Sequence, residues 1–369
     1  MAKLFVIATP LSLLVAQQIV RQEQMNDAVL LESYVGSHKD FLQIYDLCRI
    51  DSLWVKRLPP IGGFPGWDNS GTKLLKTAHR TWRRYQRIKK LLEDNNIDEI
   101  FLANYQEETY RFMTVLFSNQ GYKVSFYEEG SSNYVQLPYH INTGIVAKLK
   151  EVILDSIYYV PLYHIRFAFW RNNPNRPSHG LPIYRRFSII PGILNERYDV
   201  VLHCEPMLSE RLRQYIDRFI ESDNSLPQVL LLTEPMKEVL GDSLDAYYNV
   251  IVDNLKTLKK DTIVSIKFHP RDPDLSRAKI VDIVKQLGLK YTILSAKINI
   301  PVEYFLLYMN FDRILFFNAS TYLYNGYLFP KRNFQCMLRD LYIKSKEMHA
   351  SAYSLTVIKG WCLRMNLNI

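Results

Sequence analysis

Cysteine is scarce and scattered: Cys48, Cys204, Cys336 and Cys362 form no CxxC pair. That spacing excludes a disulfide framework or a zinc ribbon and fits reduced thiols. Long apolar runs are missing too. No window approaches the ~18 consecutive apolar residues of a membrane-spanning helix, and the nearest, 145–170, is broken by Lys148, Lys150, Glu151 and Asp155. The opening MAKLFVIATPLSLLVAQQIVRQ has one lysine before an apolar run, but Pro10 splits that run. Without a small-residue cleavage pattern it reads as a strand and an amphipathic helix, not as a signal peptide. Neither GxGxxG nor GxxxxGK followed by Ser or Thr occurs, and IGGFPGW lacks the lysine and the strand–helix setting of a phosphate loop. Those absences exclude a dinucleotide enzyme and a P-loop kinase. There is no internal repeat, no low-complexity segment and no recognisable nucleic-acid-binding motif.

What is present describes a folded chain of more than one domain. Its 369 residues exceed one small core, and 48% hydrophobic with 22% charged residues are ordinary values for a folded protein. Lys plus Arg exceed Asp plus Glu by 46 − 37 = 9, which favours anionic partners.

Strand and helix patterns alternate along the chain. KLFVIAT (3–9) precedes a helix to Glu23; AVLLES (28–33) and SLWVKRL (52–58) are strand candidates; PPIGGFPGWDNSG breaks the pattern as a loop. From Thr72 to Glu93, Ala78, Trp82, Tyr85, Ile88 and Leu92 recur at helical spacing and predict one long helix. EIFLAN (99–104), a helix over 107–119 and YKVSFY (122–127) follow. Residues 131–195 are irregular, with a helix expected at 145–157. Alternation then resumes with strands at 198–204, 228–233, 262–268, 290–294 and 313–317, and a helix beginning at Pro301. Such repetition predicts an α/β protein with two Rossmann-like domains, parallel sheets in each, facing across a cleft. The expected boundaries are 1–190, 191–330 and a basic helical segment at 331–369.

Open α/β sheets bind ligands beyond the carboxyl ends of their strands, so three strand ends carry the functional reading. YEEG places Glu128, Glu129 and Gly130, followed by Ser131, after one strand. A carboxylate there can take a proton from an attacking hydroxyl, and Gly130 allows a tight turn close to substrate. IKFHPRDP puts His269 and Pro270 after another; a histidine titrating near neutrality can donate to a departing phosphate. FFNASTYL puts Asn318, Ser320 and Thr321 between a strand and a helix, where hydroxyls and backbone N–H groups can cap the helix or hold a phosphate. Asp272 and Asp274 match an Asp-x-Asp metal motif only superficially, since Asp274 suits a helix cap; no metal site is expected.

In this order, Glu-Glu-Gly, His-Pro and Ser-Thr resemble the three short motifs of bacterial sialyltransferases. The layout resembles most nearly glycosyltransferase family 52, which includes lipooligosaccharide and capsule sialyltransferases; the bacterial polysialyltransferases of family 38 share the motifs and are the near alternative. The resemblance covers about residues 3 to 325. It implies a GT-B fold, CMP-sialic acid as donor, a galactose-terminated or capsule-type glycan as acceptor, inversion at the anomeric carbon, and no cofactor or required metal. By motif position Glu129 would be the base with Glu128 as neighbour, His269 and Pro270 would contact the CMP phosphate, and Ser320, Thr321 and Asn318 would hold it. Some relatives carry an aspartate base in the loop after the strand matching VLLLT; here that loop reads TEPMKE, leaving Glu234 in reserve.

Between Lys73 and Lys90 stand eight basic residues and no acidic one, and 331–369 carries seven basic against two acidic. These fit a cytoplasmic protein peripheral to the inner face of an anionic membrane, or one holding a lipid-linked or polyanionic glycan. A solvated helix face, with a C-terminal helix packing back on the N-terminal domain, serves equally well. The alternative from another class is a non-catalytic nucleic-acid- or polyanion-binding protein; with no such motif, nucleic acid is not the expected partner.

Overall fold

The computed structural model describes residues 2–34, 38–62, 72–103, 108–128, 149, 152–165, 167, 183–190, 199–220, 226–294, 298–365 and 367. The chain divides into two compact units, Met1–Ser209 and Glu210–Ile369.

The first unit holds a seven-stranded sheet in the order β3-β2-β1-β4-β5-β6-β7, parallel at every pairing. Its strands are β1 (Ala2–Ile7), β2 (Ala28–Tyr34), β3 (Lys56–Gly62), β4 (Ile97–Ala103), β5 (Lys123–Tyr127), β6 (Arg186–Ser188) and β7 (Asp199–Val201). Unbroken apolar runs such as Leu4–Ile7 and Ile100–Ala103 are fully buried, as strands covered by helices on both faces require. The helices are α1 (Pro10–Gln22), α2 (His38–Cys48), α3 (Thr72–Asp94) and α4 (Glu108–Asn119). Pro10 takes the first helical position of α1, where a missing N–H costs nothing, and Thr9 and Ser12 cap that end reciprocally. The apolar stripe of α3 faces inward: Ala78, Tyr85, Ile88 and Leu92 are buried, with Trp82 packed against the same core. A further helical run covers 152–163, with a π-helical turn at Asp155–Tyr159 and an α-helical end, α5, at Val160–Tyr163.

The second unit holds a five-stranded sheet in the order β10-β9-β8-β11-β12, also all parallel. Its strands are β8 (Gln228–Leu232), β9 (Ile263–Lys267), β10 (Lys290–Ile293), β11 (Arg313–Phe316) and β12 (Phe334–Cys336). Its helices are α6 (Glu210–Ile216), α7 (Lys237–Leu240), α8 (Asp245–Leu255), α9 (Asp274–Gln286), α10 (Val302–Tyr308), α11 (Leu338–Glu347) and α12 (Ala352–Arg364). Leu338, Leu341, Ile358 and Cys362 enter one core with Val229, Val264 and Leu315.

Several expectations need correction. The strand expected at 52–58 begins only at Lys56, after a 3-10 turn at Asp51–Leu53, and it continues through Pro59 and Pro60 into the stretch read as loop. The strand at 199–201 extends the first sheet by pairing with β6, so the unit boundary falls at 209/210 and not 190/191. Residues 331–369 are no appended segment: β12, α11 and α12 complete the second sheet and core. The helix expected after 313–317 is a five-residue 3-10 turn at Ser320–Tyr324. Among the described residues no helix is long and apolar enough to cross a membrane.

Candidate active site

In the second sheet the chain runs outward from β8 through β9 to β10, then returns to the other side of β8 as β11 and β12. The order reverses between β8 and β11, and beyond such a switch point open α/β sheets bind ligands. Glu234 follows β8, Asn318 and Ser320 follow β11, and His269 follows β9 on the other flank of β8.

Glu234 is tied down from its backbone. Its N–H donates to the phenol oxygen of Tyr247 at 3.2 Å and its carbonyl accepts from Met236 at 2.7 Å. Burial, aided by nearby Asp272, pushes the Glu234 carboxyl up to about 7, while Arg271 and the backbone of Asn318, across the switch point, pull the other way. A carboxyl group poised at neutrality suits proton transfer.

The His269 turn is held by Thr233 just after β8, by Asp272 within the turn and by Arg277 on α9. Its N–H donates to Thr233 Oγ1 at 3.0 Å and to Asp272 Oδ2 at 2.9 Å, and Thr233 hydrogen-bonds Asp272 in turn. Arg277, on α9, donates to the carbonyls of His269 (3.4 Å) and Pro270 (3.2 Å). The N–H of Arg271 donates to His269 Nδ1 at 3.1 Å. A nitrogen that accepts carries no proton, so the neutral ring holds its proton on Nε2. Burial lowers the imidazole pKa below the ordinary 6.5, against the pull of Asp272. His269 is therefore a neutral Nε2–H donor at physiological pH. Asp272 spends its carboxylate inside this turn, and Asp274 sits in the first turn of α9, whose N-cap is Pro273 and not Asp274. Among the described residues no group of three or more His, Cys, Asp or Glu is arranged to hold a metal ion.

The Ser-Thr pair divides. Thr321 is buried, and its hydroxyl donates to Glu303 Oε1 at 2.7 Å. Ser320 is half-buried and makes no hydrogen bond to a described residue through its hydroxyl. Neither side chain caps the turn, whose N-cap is Ala319; five residues of 3-10 helix supply little dipole for a phosphate. Glu303 is 5% exposed, and burial raises its pKa. Lys267, at the end of β9, donates to Asn299 Oδ1 at 2.7 Å and interacts electrostatically with Glu303. Burial brings the Lys267 ammonium down to about 8. Neither Lys267 nor Glu303 was singled out from sequence. The available signal was a lysine inside IVSIKF, whose only other polar residue is Ser265.

In the first unit Glu128 is buried at the end of β5. Its N–H donates to Phe187 O at 3.2 Å and its Oε2 accepts from Ile189 N–H at 2.7 Å, tying the end of β5 to that of β6. Glu129, Gly130 and Ser131 lie outside the described residues.

Two successive all-parallel α/β units, the second with a polar cluster at its switch point, make up the GT-B type of glycosyltransferase architecture. The family profile of alpha-2,8-polysialyltransferase (POLYST) matches residues 3–338, and the chain belongs to that family. It is thus a glycosyltransferase of the sialic acid-transferring kind, with a sugar-nucleotide donor and a glycan acceptor. The family 52 layout put first on sequence gives way to the polysialyltransferase alternative. No curated protein matches the chain significantly in sequence. Among solved structures, a putative UDP-N-acetylglucosamine 2-epimerase from Listeria monocytogenes is 11% identical, with TM-score 0.47 over 87% of this chain and 75% of that one. The UDP-GlcNAc 2-epimerase of Methanocaldococcus jannaschii is 12% identical, with TM-score 0.47 over 94% and 82%. The spinosyn rhamnosyltransferase SpnG, complexed with thymidine diphosphate, is 11% identical, with TM-score 0.44 over 98% and 90%.

Proposed function

We propose that this chain takes sialic acid from CMP-sialic acid and adds it, with inversion, to a hydroxyl of a sialic acid chain, building an α-2,8 polymer. The observation that carries the reading is the fixed tautomer of His269 at a strand end of the second sheet, in a chain of the polysialyltransferase family. His269 Nε2–H donates to a phosphate oxygen of CMP as the bond from the anomeric carbon to that phosphate breaks. Lys267 lends positive charge behind it, and Ser320 with Asn318 supplies further donors. Thr321 serves this site by holding Glu303. The acceptor proton goes to Glu129 by motif position, with Glu234, tuned to about 7, as the second carboxylate for that task. CMP is a good leaving group, so positioning, one proton transfer and charge neutralisation suffice without a metal.

The test is CMP release and product length with CMP-N-acetylneuraminic acid and either an α-2,8-linked oligosialyl primer or lactose, in the presence of EDTA. Primer elongation that falls by about 10²-fold or more in Glu129→Gln and His269→Ala is the expected result. Single addition to lactose with no primer elongation would return the acceptor to a galactoside. Loss of activity on chelation would overturn the metal-free mechanism.

A further inference from the structure

The helical run at 152–163 is inverted relative to an ordinary surface helix. Its aromatic side chains anchor it: Tyr159 and Tyr163 are buried and pack on Phe112, at ring-centroid distances of 6.1 and 5.4 Å. Its aliphatic side chains other than Leu154, which packs on the core, face outward. Val152 is 61% exposed, Ile157 72% and Leu162 54%, with Ile153 and Val160 also exposed. The only charged residue in the run, Asp155, is buried, so the outer face carries no charge. Contiguous apolar surface of this kind marks an interaction site.

The neighbouring helix says what the partner is. Trp82 of α3 lies against Tyr163 with ring centroids 5.1 Å apart, bringing the two helices together. The outer face of α3 exposes Lys76, Arg80, Arg83, Arg87 and Lys90, and no acidic residue precedes Glu93 on that helix. An uncharged aliphatic face beside a row of cations fits an anionic lipid surface, whose acyl region takes the first and whose headgroups attract the second. A protein partner recognised by those cations would leave the aliphatic face without a counterpart. We propose that the first unit docks on anionic bilayers through residues 152–162, with the basic face of α3 at headgroup level.

The experiment is flotation of the full chain with phosphatidylcholine vesicles, with and without phosphatidylglycerol, alongside its sedimentation behaviour in solution. Wild type is expected to float only with phosphatidylglycerol. Ile157→Asp and Leu162→Asp should each lower vesicle affinity by about tenfold or more, the worth of a buried aliphatic side chain. The pair Arg83→Glu with Arg87→Glu should abolish binding at moderate salt, and far-UV circular dichroism checks that each variant is folded. Flotation indifferent to Ile157→Asp, or cancelled by soluble oligosialic acid, would overturn the proposal and leave α3 as a glycan surface. A wild-type dimer that Ile157→Asp dissociates, without flotation, would overturn it in favour of self-association.

Discussion

The backbone N–H of Arg271 donates to Nδ1 of His269 at 3.1 Å, so two residues of one turn decide which nitrogen of the ring carries the proton. Heteronuclear NMR of the imidazole should show the Nε2–H tautomer and a pKa below 6.5. The linkage has a definite sign. As pH falls through 6.5 the unfolded chain protonates before the folded one, so acidification below that point should cost stability. A ring titrating at or above 6.5, or protonated on Nδ1 when neutral, would contradict the arrangement.

Glu234 makes the opposite kind of pH dependence. Its carboxyl group holds its proton to about 7 in the folded chain against 4.5 unfolded, so stability falls as pH rises between those values. Above 7 the cost is on the order of 3 kcal/mol, at about 1.4 kcal/mol per pH unit. Glu234→Gln should therefore melt higher than wild type at about pH 8 and match it near pH 4.5. If Glu234 takes the acceptor proton, kcat/KM of wild type has an acid limb near 7 that this variant lacks. A limb unchanged in Glu234→Gln assigns the base to Glu129.

Ser320 and Thr321 are adjacent yet should respond differently. Thr321→Val leaves buried Glu303 without its 2.7 Å partner, and about 1–3 kcal/mol of stability should go with it; Thr321→Ser should restore most of it. Ser320→Ala should leave stability within about 0.5 kcal/mol and raise KM for the CMP-sugar. Thermal melts and donor-saturation curves on the three variants separate the outcomes. Equal effects at both positions would refute the division.

Arg49 is the hinge of the buried charge in the first unit. It donates to Glu32 at 2.7 Å, to Asp46 at 2.8 Å and to Asp51 at 2.6 Å, while Arg57 holds the other oxygen of Glu32 at 2.7 Å. Glu32 is wholly buried. Arg49→Met strands half of that carboxylate's pairing and should cost about 3–5 kcal/mol in urea denaturation. A loss below about 1 kcal/mol would mean that Arg57 alone satisfies Glu32.

The parts of this protein that could be read from sequence are those with local periodicity. Trp82, Tyr85, Ile88 and Leu92 announce α3 because a helix repeats every 3.6 residues and only one face is buried. The strand-end motif His-Pro is legible because proline stops a strand within one residue, and Asn-Ala-Ser-Thr because polar, cap-forming residues follow the apolar run RILFF. Membership of a sheet is not local. Residues 199–201 look like the start of a new domain, yet pairing with Arg186–Ser188 assigns them to the first. Nor could sequence divide Ser320 from Thr321, because the partner that buries Thr321 lies eighteen positions earlier in the chain. Lys267 was hidden by its context: a strand of β-branched residues reads as apolar, and one lysine at its end reads as its exit to solvent.

The seventh strand bears on how the protein is made. Until residues 199–201 have left the ribosome, Arg186–Ser188 is the last strand of a growing sheet, with one side of its backbone unpaired. Once β7 arrives, β6 is paired on both sides and the strands of the first unit are complete. A chain stalled before β7 emerges would expose that edge as a sticky intermediate for chaperones to hold.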